Sequence, residues 1–209
     1  MIGAENQQAT SSYNMYGWRE SSETIRQTPY SKGEILAYLH GALHDASRNK
    51  RTRIRFAQKY PEWLTLLHDL LKEIGHNSWI YKEGKNRNVY VLETTCGELD
   101  FNFNPLILKS RREKIMYVRG FFDAEGGVPH TNGAFYIQLV QKNYAKIVAI
   151  KQLLIDLGIG SGKIHNPSYR ADPDYWRIFI RRSDHKLFIK RIGSWHPIKQ
   201  EIFRKRMMI

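Results

Sequence analysis

The sequence predicts an α+β fold built from two copies of one unit that pack against each other through a pair of helices. Two apolar helical segments, residues 38–47 and 116–127, each contain one mid-helix glycine and an acidic residue near the end. A Ser-x-x-Glu capping box precedes both segments, at Ser31 and at Ser110. The order helix, strand, helix, strand, strand, helix then follows in each half, which indicates an internal duplication.

The glycines of the two segments predict how the copies meet. A mid-helix glycine costs about 1 kcal/mol relative to alanine, so it needs a structural reason. We expect the backbones of the two copies to approach each other closely at Gly41 and Gly120. Gly126 and Gly127 are expected to end the second helix through a left-handed cap.

The chain divides into a polar leader and two subdomains, with the boundaries 1–28, 29–109 and 110–209. The leader is expected to be flexible, and the second subdomain ends in a basic tail. In the first subdomain we predict a strand over 51–59, a helix over 62–74, a hairpin of 79–82 with 89–94, and a short helix over 99–108. In the second we predict a strand over 135–142, a helix over 144–157, a hairpin of 163–167 with 175–182, and a closing helix capped by Asp184.

The composition points to a polyanionic partner. The chain has 33 Lys and Arg against 20 Asp and Glu, a net charge of +13, which favours nucleic acid or an acidic membrane surface. The single Cys96 excludes an internal disulfide and a cysteine-based zinc cluster. No apolar run approaches the roughly 20 residues that span a bilayer, and no signal peptide is evident. We therefore expect a soluble, intracellular, cytoplasmic protein.

Basic side chains on the predicted strands and hairpins are candidate phosphate and base contacts. Between 51 and 56 arginines alternate with largely apolar residues, which predicts a strand with one basic face. Such strands could lie along DNA and read base edges in its major groove, although a solvated strand face is the alternative. The candidates are Arg51, Arg53, Arg55, Lys82, Lys85, Arg87, Arg177 and Arg181.

The acidic residues at the helix ends are candidate metal ligands. A helix C-terminus is partly negative, so the carboxylates of Asp45 and Glu125 there would favour a divalent cation. Oxygen ligands without a set of His or Cys indicate Mg²⁺ rather than zinc, and Ca²⁺ or Mn²⁺ could substitute. Two such sites side by side suit in-line attack of water on a phosphodiester.

Residues 118–126, Val-Arg-Gly-Phe-Phe-Asp-Ala-Glu-Gly, resemble the motif of the LAGLIDADG homing endonucleases. The likeness covers nearly the whole chain from Ser31 and is to single-chain members, similar to the intron-encoded ones of archaea. It implies two pseudo-symmetric αββαββα-like subdomains that form a saddle over double-stranded DNA. It also implies that a monomer cuts both strands of a long, asymmetric site.

By the family pattern, Glu125 replaces the metal-binding Asp, and the backbone carbonyl of Ala124 is a further candidate ligand. The pattern also surrounds the catalytic water with polar and lysine side chains, which here are Gln58, Lys59, Gln141 and Lys142. The two lysines could equally be ordinary phosphate contacts. Asp123 is expected to form hydrogen bonds at the helix end rather than to bind metal. His40 and His44 are expected to be packing or surface residues, with no metal assigned to them.

The first motif departs from the family pattern. Aligned on Gly41, it has Ala46 where the acid should be, and Asp45 one residue early. The helix end could unwind so that Asp45 serves, or Ala46 could be an engineered replacement. Alternatively the site is degenerate, and the chain is a nickase or a cleavage-deficient nucleic-acid-binding protein such as an intron-splicing RNA maturase or a DNA-binding regulator.

Overall fold

The computed structural model describes residues 29–50, 52–84, 86–130 and 133–207. The predicted leader, Arg51 and Lys85 lie outside these ranges. The first subdomain contains α1 (Lys32–Ala42), a 3-10 turn (Leu43–Asp45), β1 (Ala46–Asn49), β2 (Arg53–Gln58), α2 (Glu62–Glu73), β3 (Ser78–Lys82), β4 (Tyr90–Thr94) and a 3-10 turn (Pro105–Ile107). The second contains α3 (Arg111–Glu125), β5 (Gly126–Gly127), β6 (Gln138–Gln141), α4 (Tyr144–Asp156), β7 (Trp176–Phe179), a 3-10 turn (Arg182–Asp184), α5 (His185–Arg191) and α6 (Pro197–Met207).

Each subdomain has one antiparallel sheet, with the order β1-β2-β4-β3 in the first and β5-β6-β7 in the second. Side chains alternate between the two faces of a strand, so one face of each sheet packs on the helices and the other is turned away from the core. Phe56 and Leu92 are fully buried on the inner face of the first sheet, as are Leu139 and Ile178 in the second. The duplicated α+β fold that the sequence predicts is confirmed.

Both motif helices begin with the predicted capping box. The Ser31 hydroxyl accepts a hydrogen bond from the Glu34 backbone nitrogen, and the Glu34 carboxylate accepts one from the Ser31 backbone nitrogen at 2.9 Å. Ser110 and Glu113 form the same box at the start of α3. These caps satisfy backbone donors that have no partner within the helix, so both helix starts are fixed locally.

The two glycines lie where α1 and α3 cross, as predicted. A Cβ atom added at Gly41 would lie 2.6 Å from the Phe121 backbone nitrogen and closer still to the Tyr117 carbonyl oxygen. One added at Gly120 would overlap the Tyr38 carbonyl in the same way. The helices therefore touch backbone to backbone, and only glycine fits at either position.

The structure corrects the predicted end of the second motif helix. Gly126 has φ −79° and ψ 145°, which is extended backbone and not a left-handed cap. It pairs with Leu139 as the first residue of β5, so the helix leads directly into the sheet. The first motif helix similarly leads into β1, and the sequence pattern predicted neither of these short strands.

Two other predicted elements are shorter than expected. Residues 99–108 contain only the 3-10 turn, in which the Asn104 side chain accepts a hydrogen bond from the Leu106 backbone nitrogen at 3.1 Å. Pro105 fits the first position of that turn because it has no N–H to satisfy. The predicted hairpin strand 163–167 is reduced to an isolated bridge between His165 and Arg177.

The predicted basic tail is the helix α6. Phe203 of this helix is buried and stacks on Phe122 of α3, with ring centroids 5.7 Å apart. The closing helix of the sequence prediction corresponds to α5, but the Asp184 side chain makes no capping hydrogen bond there. The last helix is thus packed on the motif helix, next to the end that carries Glu125.

Replacement of Gly41 by alanine should destabilise the fold by about 3 kcal/mol, because the added methyl group forces two helix backbones apart. Gly120→Ala should do the same. Urea denaturation at pH 7.5 measures the change in the free energy of unfolding. Gly97→Ala is the control, since a Cβ at Gly97 meets nothing within 4 Å. A Gly41→Ala protein as stable as the Gly97→Ala protein would contradict the tight helix crossing.

Candidate active site at the ends of the paired helices

Asp45 and Glu125 occupy equivalent positions in the two halves. Each is the last residue of its helical segment and is followed directly by a strand. Asp45 lies four residues after Gly41, whereas Glu125 lies five after Gly120. In a regular α-helix this difference of one residue would turn the Asp45 side chain roughly 100° away from the direction of Glu125. Each residue of a 3-10 helix turns by roughly 120° instead, so the three residues Leu43–Asp45 recover roughly 60° of that difference.

Ala46, by contrast, belongs to the strand. It pairs with Phe56 as the first residue of β1 and packs, partly buried, against the core. Residues paired in an antiparallel ladder share a face of the sheet, so the Ala46 side chain lies on the core side with Phe56. This placement favours Asp45, and not position 46, as the carboxylate of the first motif.

Asp45 reaches solvent, yet its carboxyl is crowded by protein. Desolvation raises the pKa of Asp45 to about 6, against the lowering effects of Gln58 and Lys199. The Gln58 side-chain nitrogen, at the end of β2, donates a hydrogen bond to Oδ2 of Asp45. The structure therefore brings together Gln58 and Asp45, two of the residues the sequence singled out.

Glu125 is half-buried at the end of α3. Desolvation and the negative charge of Asp45 raise the pKa of Glu125 to about 7, and Lys199 opposes this rise. The carboxyls of the two motifs are therefore close enough to influence each other, although they come from different subdomains.

Sequence reasoning missed Lys199, the cation of this site. Its ammonium donates hydrogen bonds to the carbonyl oxygens of Phe122 at 2.6 Å and Asp123 at 2.7 Å, at the C-terminal end of α3. Burial lowers the pKa of Lys199 to about 8, against the opposing effects of the three nearby carboxyls. The sequence did contain a signal for this helix: Pro is common at the start of a helix, and Lys199 and Phe203, four residues apart, would lie on one face of a helix that begins at Pro197.

Asp123 forms hydrogen bonds, as the sequence predicted. Its buried carboxylate accepts hydrogen bonds from the Tyr38 hydroxyl at 2.7 Å and the Trp195 backbone nitrogen at 2.9 Å, and another from the Ser194 hydroxyl. The Trp63 indole in turn donates to the Tyr38 oxygen at 2.9 Å. Asp123 thus ties α1 and the loop before α6 to α3, with its acceptors occupied.

His44 is the pseudo-symmetric counterpart of Asp123, as Tyr117 is of Tyr38. The Gln141 side-chain oxygen accepts hydrogen bonds from two backbone N–H groups, so its amide nitrogen donates to Nδ1 of His44 at 2.9 Å. Nε2 of His44 therefore carries the proton and donates to the Tyr117 oxygen at 3.0 Å. Desolvation lowers the pKa of His44 to about 3, so the ring is neutral.

The hydrogen bonds of the described residues do not connect either predicted lysine to Asp45 or Glu125. Lys59 is exposed, with its ammonium 5.7 Å from the Tyr60 ring centre, and Lys142 lies 3.9 Å from the Asp172 carboxylate. Their catalytic role therefore stays a prediction. Of the predicted DNA contacts in the described part of the chain, Arg53, Arg55, Lys82 and Arg177 lie on the sheets and Arg87 on the first hairpin turn. Arg181 lies beyond the end of β7, just before the 3-10 turn Arg182–Asp184, because the predicted strand ends at Phe179.

A cleft of about 280 Å³ opens beside the end of α3. Gln58 lines it from the first subdomain and Ala124, Gly127 and Lys199 from the second. The donors at the helix ends are hard oxygens, namely the two carboxylates and the Ala124 carbonyl, which suits a divalent cation such as Mg²⁺. Within the described ranges, no three His, Cys, Asp or Glu residues form a ready metal cage. The fit is to a cation that also takes ligands from a substrate.

Two glycine-packed helices that end in carboxylates between two antiparallel sheets define a LAGLIDADG-type fold. The family model described as a LAGLIDADG-like domain matches residues 112–193, which lie in the second subdomain. No curated protein sequence matches the chain. Within the described residues, no helix is both long and apolar enough to cross a membrane.

Solved structures share this fold. I-DmoI in complex with DNA and Mn is 23% identical, covers 78% of this chain and 98% of its own, and has a TM-score of 0.59. I-DmoI with DNA and Ca is 21% identical, with 82% and 97% covered and a TM-score of 0.60. The N-terminal LAGLIDADG domain of DUF199/WhiA is 16% identical, with 81% and 85% covered and a TM-score of 0.62. At these identities the likeness shows the fold alone.

Replacement of Glu125 by glutamine should stabilise the protein more at pH 8 than at pH 4.5. The raised pKa means that the folded chain holds a proton between pH 4.5 and about 7 that the unfolded chain has lost, so the native carboxyl costs stability as pH rises through that window. Urea denaturation across this range gives the difference in unfolding free energy between the variant and the wild type.

Glu201→Gln is the matched control for this pH dependence. Hydrogen bonds from Arg204 and Lys205 hold the pKa of Glu201 at about 2, below its ordinary value, so its removal should bring no gain in stability over the same window. If the stability of Glu125→Gln tracked that of the wild type at every pH, Glu125 would not be the strained carboxyl described above.

Proposed function

We propose that this chain is a site-specific, double-strand DNA endonuclease of the homing type. The observation that carries the proposal is the pair Asp45 and Glu125, contributed by two subdomains and electrostatically coupled at their shared axis. Among the described residues neither carboxylate forms a salt bridge. Unpaired acids held together against their own repulsion are typical of catalytic and metal sites.

Asp45, Glu125 and the Ala124 carbonyl would hold divalent cations, with Mg²⁺ as the proposed ion and Mn²⁺ or Ca²⁺ as substitutes. Bound there, the ions would supply Lewis-acid stabilisation of the charge that develops on the phosphate oxygens. Gln58 keeps the Asp45 carboxylate in one orientation through its hydrogen bond. Lys199 holds the last carbonyls of α3 and adds positive charge beside the place where a phosphate would lie.

The two sheets are the proposed DNA-binding surface. The net charge of +13 supports contact with phosphates, and the sheets flank the carboxylate pair on both sides. The two sheets differ in sequence, so a single chain would bind a DNA site whose two halves differ. A monomeric state and an origin in an intron are parts of the same proposal.

A nucleic-acid-binding protein without nuclease activity is the second candidate. It is favoured by the first motif, in which His44 and Ala46 stand at the two positions that are acidic in the second motif. The fold does not separate the two candidates, because it is shared by I-DmoI bound to DNA and by the DUF199/WhiA domain. Cleavage must therefore be measured directly.

Addition of Mn²⁺ should raise the melting temperature of the wild-type protein without any DNA. An ion that binds only the folded carboxylate pair stabilises the fold by mass action and relieves the repulsion between Asp45 and Glu125. Differential scanning calorimetry at pH 7.5 measures the shift. The shift should largely disappear in the double variant Asp45→Asn/Glu125→Gln, and its persistence there would place the ion elsewhere.

Cleavage can be tested on a DNA sequence that the protein itself selects by binding. Duplexes that bind in Ca²⁺ are selected from a long randomised library, and the recovered sequence is inserted into a supercoiled plasmid. With Mg²⁺ or Mn²⁺ the wild type should linearise this plasmid. Glu125→Gln and Asp45→Asn should each slow cleavage by about 100-fold, since each removes charge stabilisation at the reacting phosphate.

Two controls make the cleavage test decisive. Both variants should still bind the duplex in Ca²⁺, which separates lost chemistry from lost folding. Ala46→Asp should bring no gain in cleavage, because the side chain at position 46 lies on the core side of β1. A wild type that binds the selected site and never cuts it would leave the binding protein as the correct function.

A further inference from the structure

Glu93 is a buried carboxylate in the middle of a surface that the proposed function assigns to DNA. It lies on β4, where Arg55 of β2 and Trp79 of β3 flank it in one row across the sheet. The adjacent Leu92 faces the core, so Glu93 is on the opposite, outward face. Its exposed fraction is nevertheless only 3%. An acid there opposes DNA binding, and so it needs another reason.

Three neighbouring side chains donate hydrogen bonds to this carboxylate. The Asn49 amide donates to Oε1 at 2.9 Å, the Tyr81 hydroxyl to Oε1 at 3.2 Å, and the Arg53 guanidinium to Oε2 at 3.1 Å. Desolvation raises the pKa of Glu93, but these hydrogen bonds outweigh it and leave the pKa below its ordinary value. The carboxylate is therefore ionised and acts only as an acceptor.

Because Glu93 only accepts hydrogen bonds, it determines which hydrogen-bonding atoms of its neighbours remain available on the outer face of the sheet. Only the amide nitrogen of Asn49 can face a carboxylate, so the Asn49 oxygen is left as an outward acceptor. The Tyr81 hydroxyl donates its single proton to Glu93, so its oxygen can act towards other groups only as an acceptor. Arg53 keeps further N–H donors on a side chain that is 43% exposed and is steadied over the Trp79 ring at 5.3 Å.

The second sheet has no such arrangement among its described residues. Arg177 lies between the Tyr175 and Phe179 rings, 5.3 and 5.4 Å from their centres, and no carboxylate accepts a hydrogen bond from it. Its neighbours on that face in β6 are Val140 and Gln138. The two sheets thus use their arginines differently, and only the first orders donors and acceptors around a buried charge.

We propose that Glu93 is a positioning residue that sets the base preference of the first sheet by fixing Asn49 and Tyr81 as acceptors beside the donor Arg53. This inference rests on the proposed DNA-binding function. In the major groove, adenine N6 and cytosine N4 are the amino groups such acceptors recognise, and guanine O6 and N7 are the acceptors an arginine recognises. The ligand is duplex DNA with a guanine next to an adenine or cytosine amino group in one half-site.

Replacement of Glu93 by glutamine separates affinity from specificity. Glutamine can donate as well as accept, so the Asn49 amide can reverse and the Tyr81 hydroxyl can turn outward. Selection from a randomised duplex library should then recover a site whose preferences are weakened in one half only. The ratio of specific to unrelated-duplex affinity should fall about tenfold, while affinity for unrelated duplex rises because a negative charge has left the DNA face.

Glu98→Gln makes the same charge change away from this network, since Glu98 pairs with Lys32 and His76. It should leave the recovered site unchanged. Tyr81→Phe is a second, independent variant that keeps the exposed ring and removes one acceptor, so it should weaken the preference at a single base pair.

The outcomes distinguish the inference from the function beneath it. A wild type that selects a defined sequence, beside a folded Glu93→Gln protein that selects the same one with the same affinity ratio, would overturn the role of Glu93. Unchanged selection by Tyr81→Phe would overturn the fixed-acceptor argument. A wild type that selects no sequence at all would defeat site-specific binding itself, and the inference with it.

Discussion

The contact between the backbones of α1 and α3 is the constraint on which the rest of the structure depends. Gly41 and Gly120 allow the helices to touch where any side chain would overlap a carbonyl of the partner helix. This closeness brings the helix ends together and so places Asp45 beside Glu125, despite the repulsion between their charges. It also lets each motif tyrosine reach the other helix. Burial of apolar side chains along the crossing favours this close approach, whereas the two carboxylates at the helix ends oppose it.

The duplication preserves this scaffold while its chemistry differs between the halves. Tyr38 donates to the buried Asp123, whereas Tyr117 accepts from the neutral His44. The two glutamines that end β2 and β6 differ in the same way. Gln58 orients the candidate acid Asp45, and Gln141 fixes the tautomer of His44. A geometric duplication therefore does not imply two identical sites, and the residue types at each equivalent position decide what each half can do.

The sequence predicted what depends on local chemistry. The predicted capping boxes and the close approach at the mid-helix glycines were correct. The predicted ends of α2 and α4 were also correct, because Gly75 and Gly158 take the positive φ that stops a helix there. Lys199 and Glu93 were missed because their roles depend on residues far away in the chain. The sequence of a basic C-terminal segment does not reveal whether that segment is solvated or packs on α3. The strands β1 and β5 were missed because they are only four and two residues long, too short to show an alternating pattern, and are held by pairing with β2 and β6.

The distribution of acids explains how a strongly basic chain can hold a negative centre. Glu93 and Asp123 are buried, and donors within the protein satisfy the hydrogen bonds of both side chains. Asp45 and Glu125 are different, since they lie closer to solvent and have few donors: Gln58 and Lys199 oppose the raised pKa of Asp45, and Lys199 opposes that of Glu125. A phosphate brought to this point by the basic surroundings would meet two carboxylates of its own sign. A bound divalent cation is the simplest species that would remove this repulsion, and in the proposed reaction it would also supply Lewis-acid stabilisation of the phosphate.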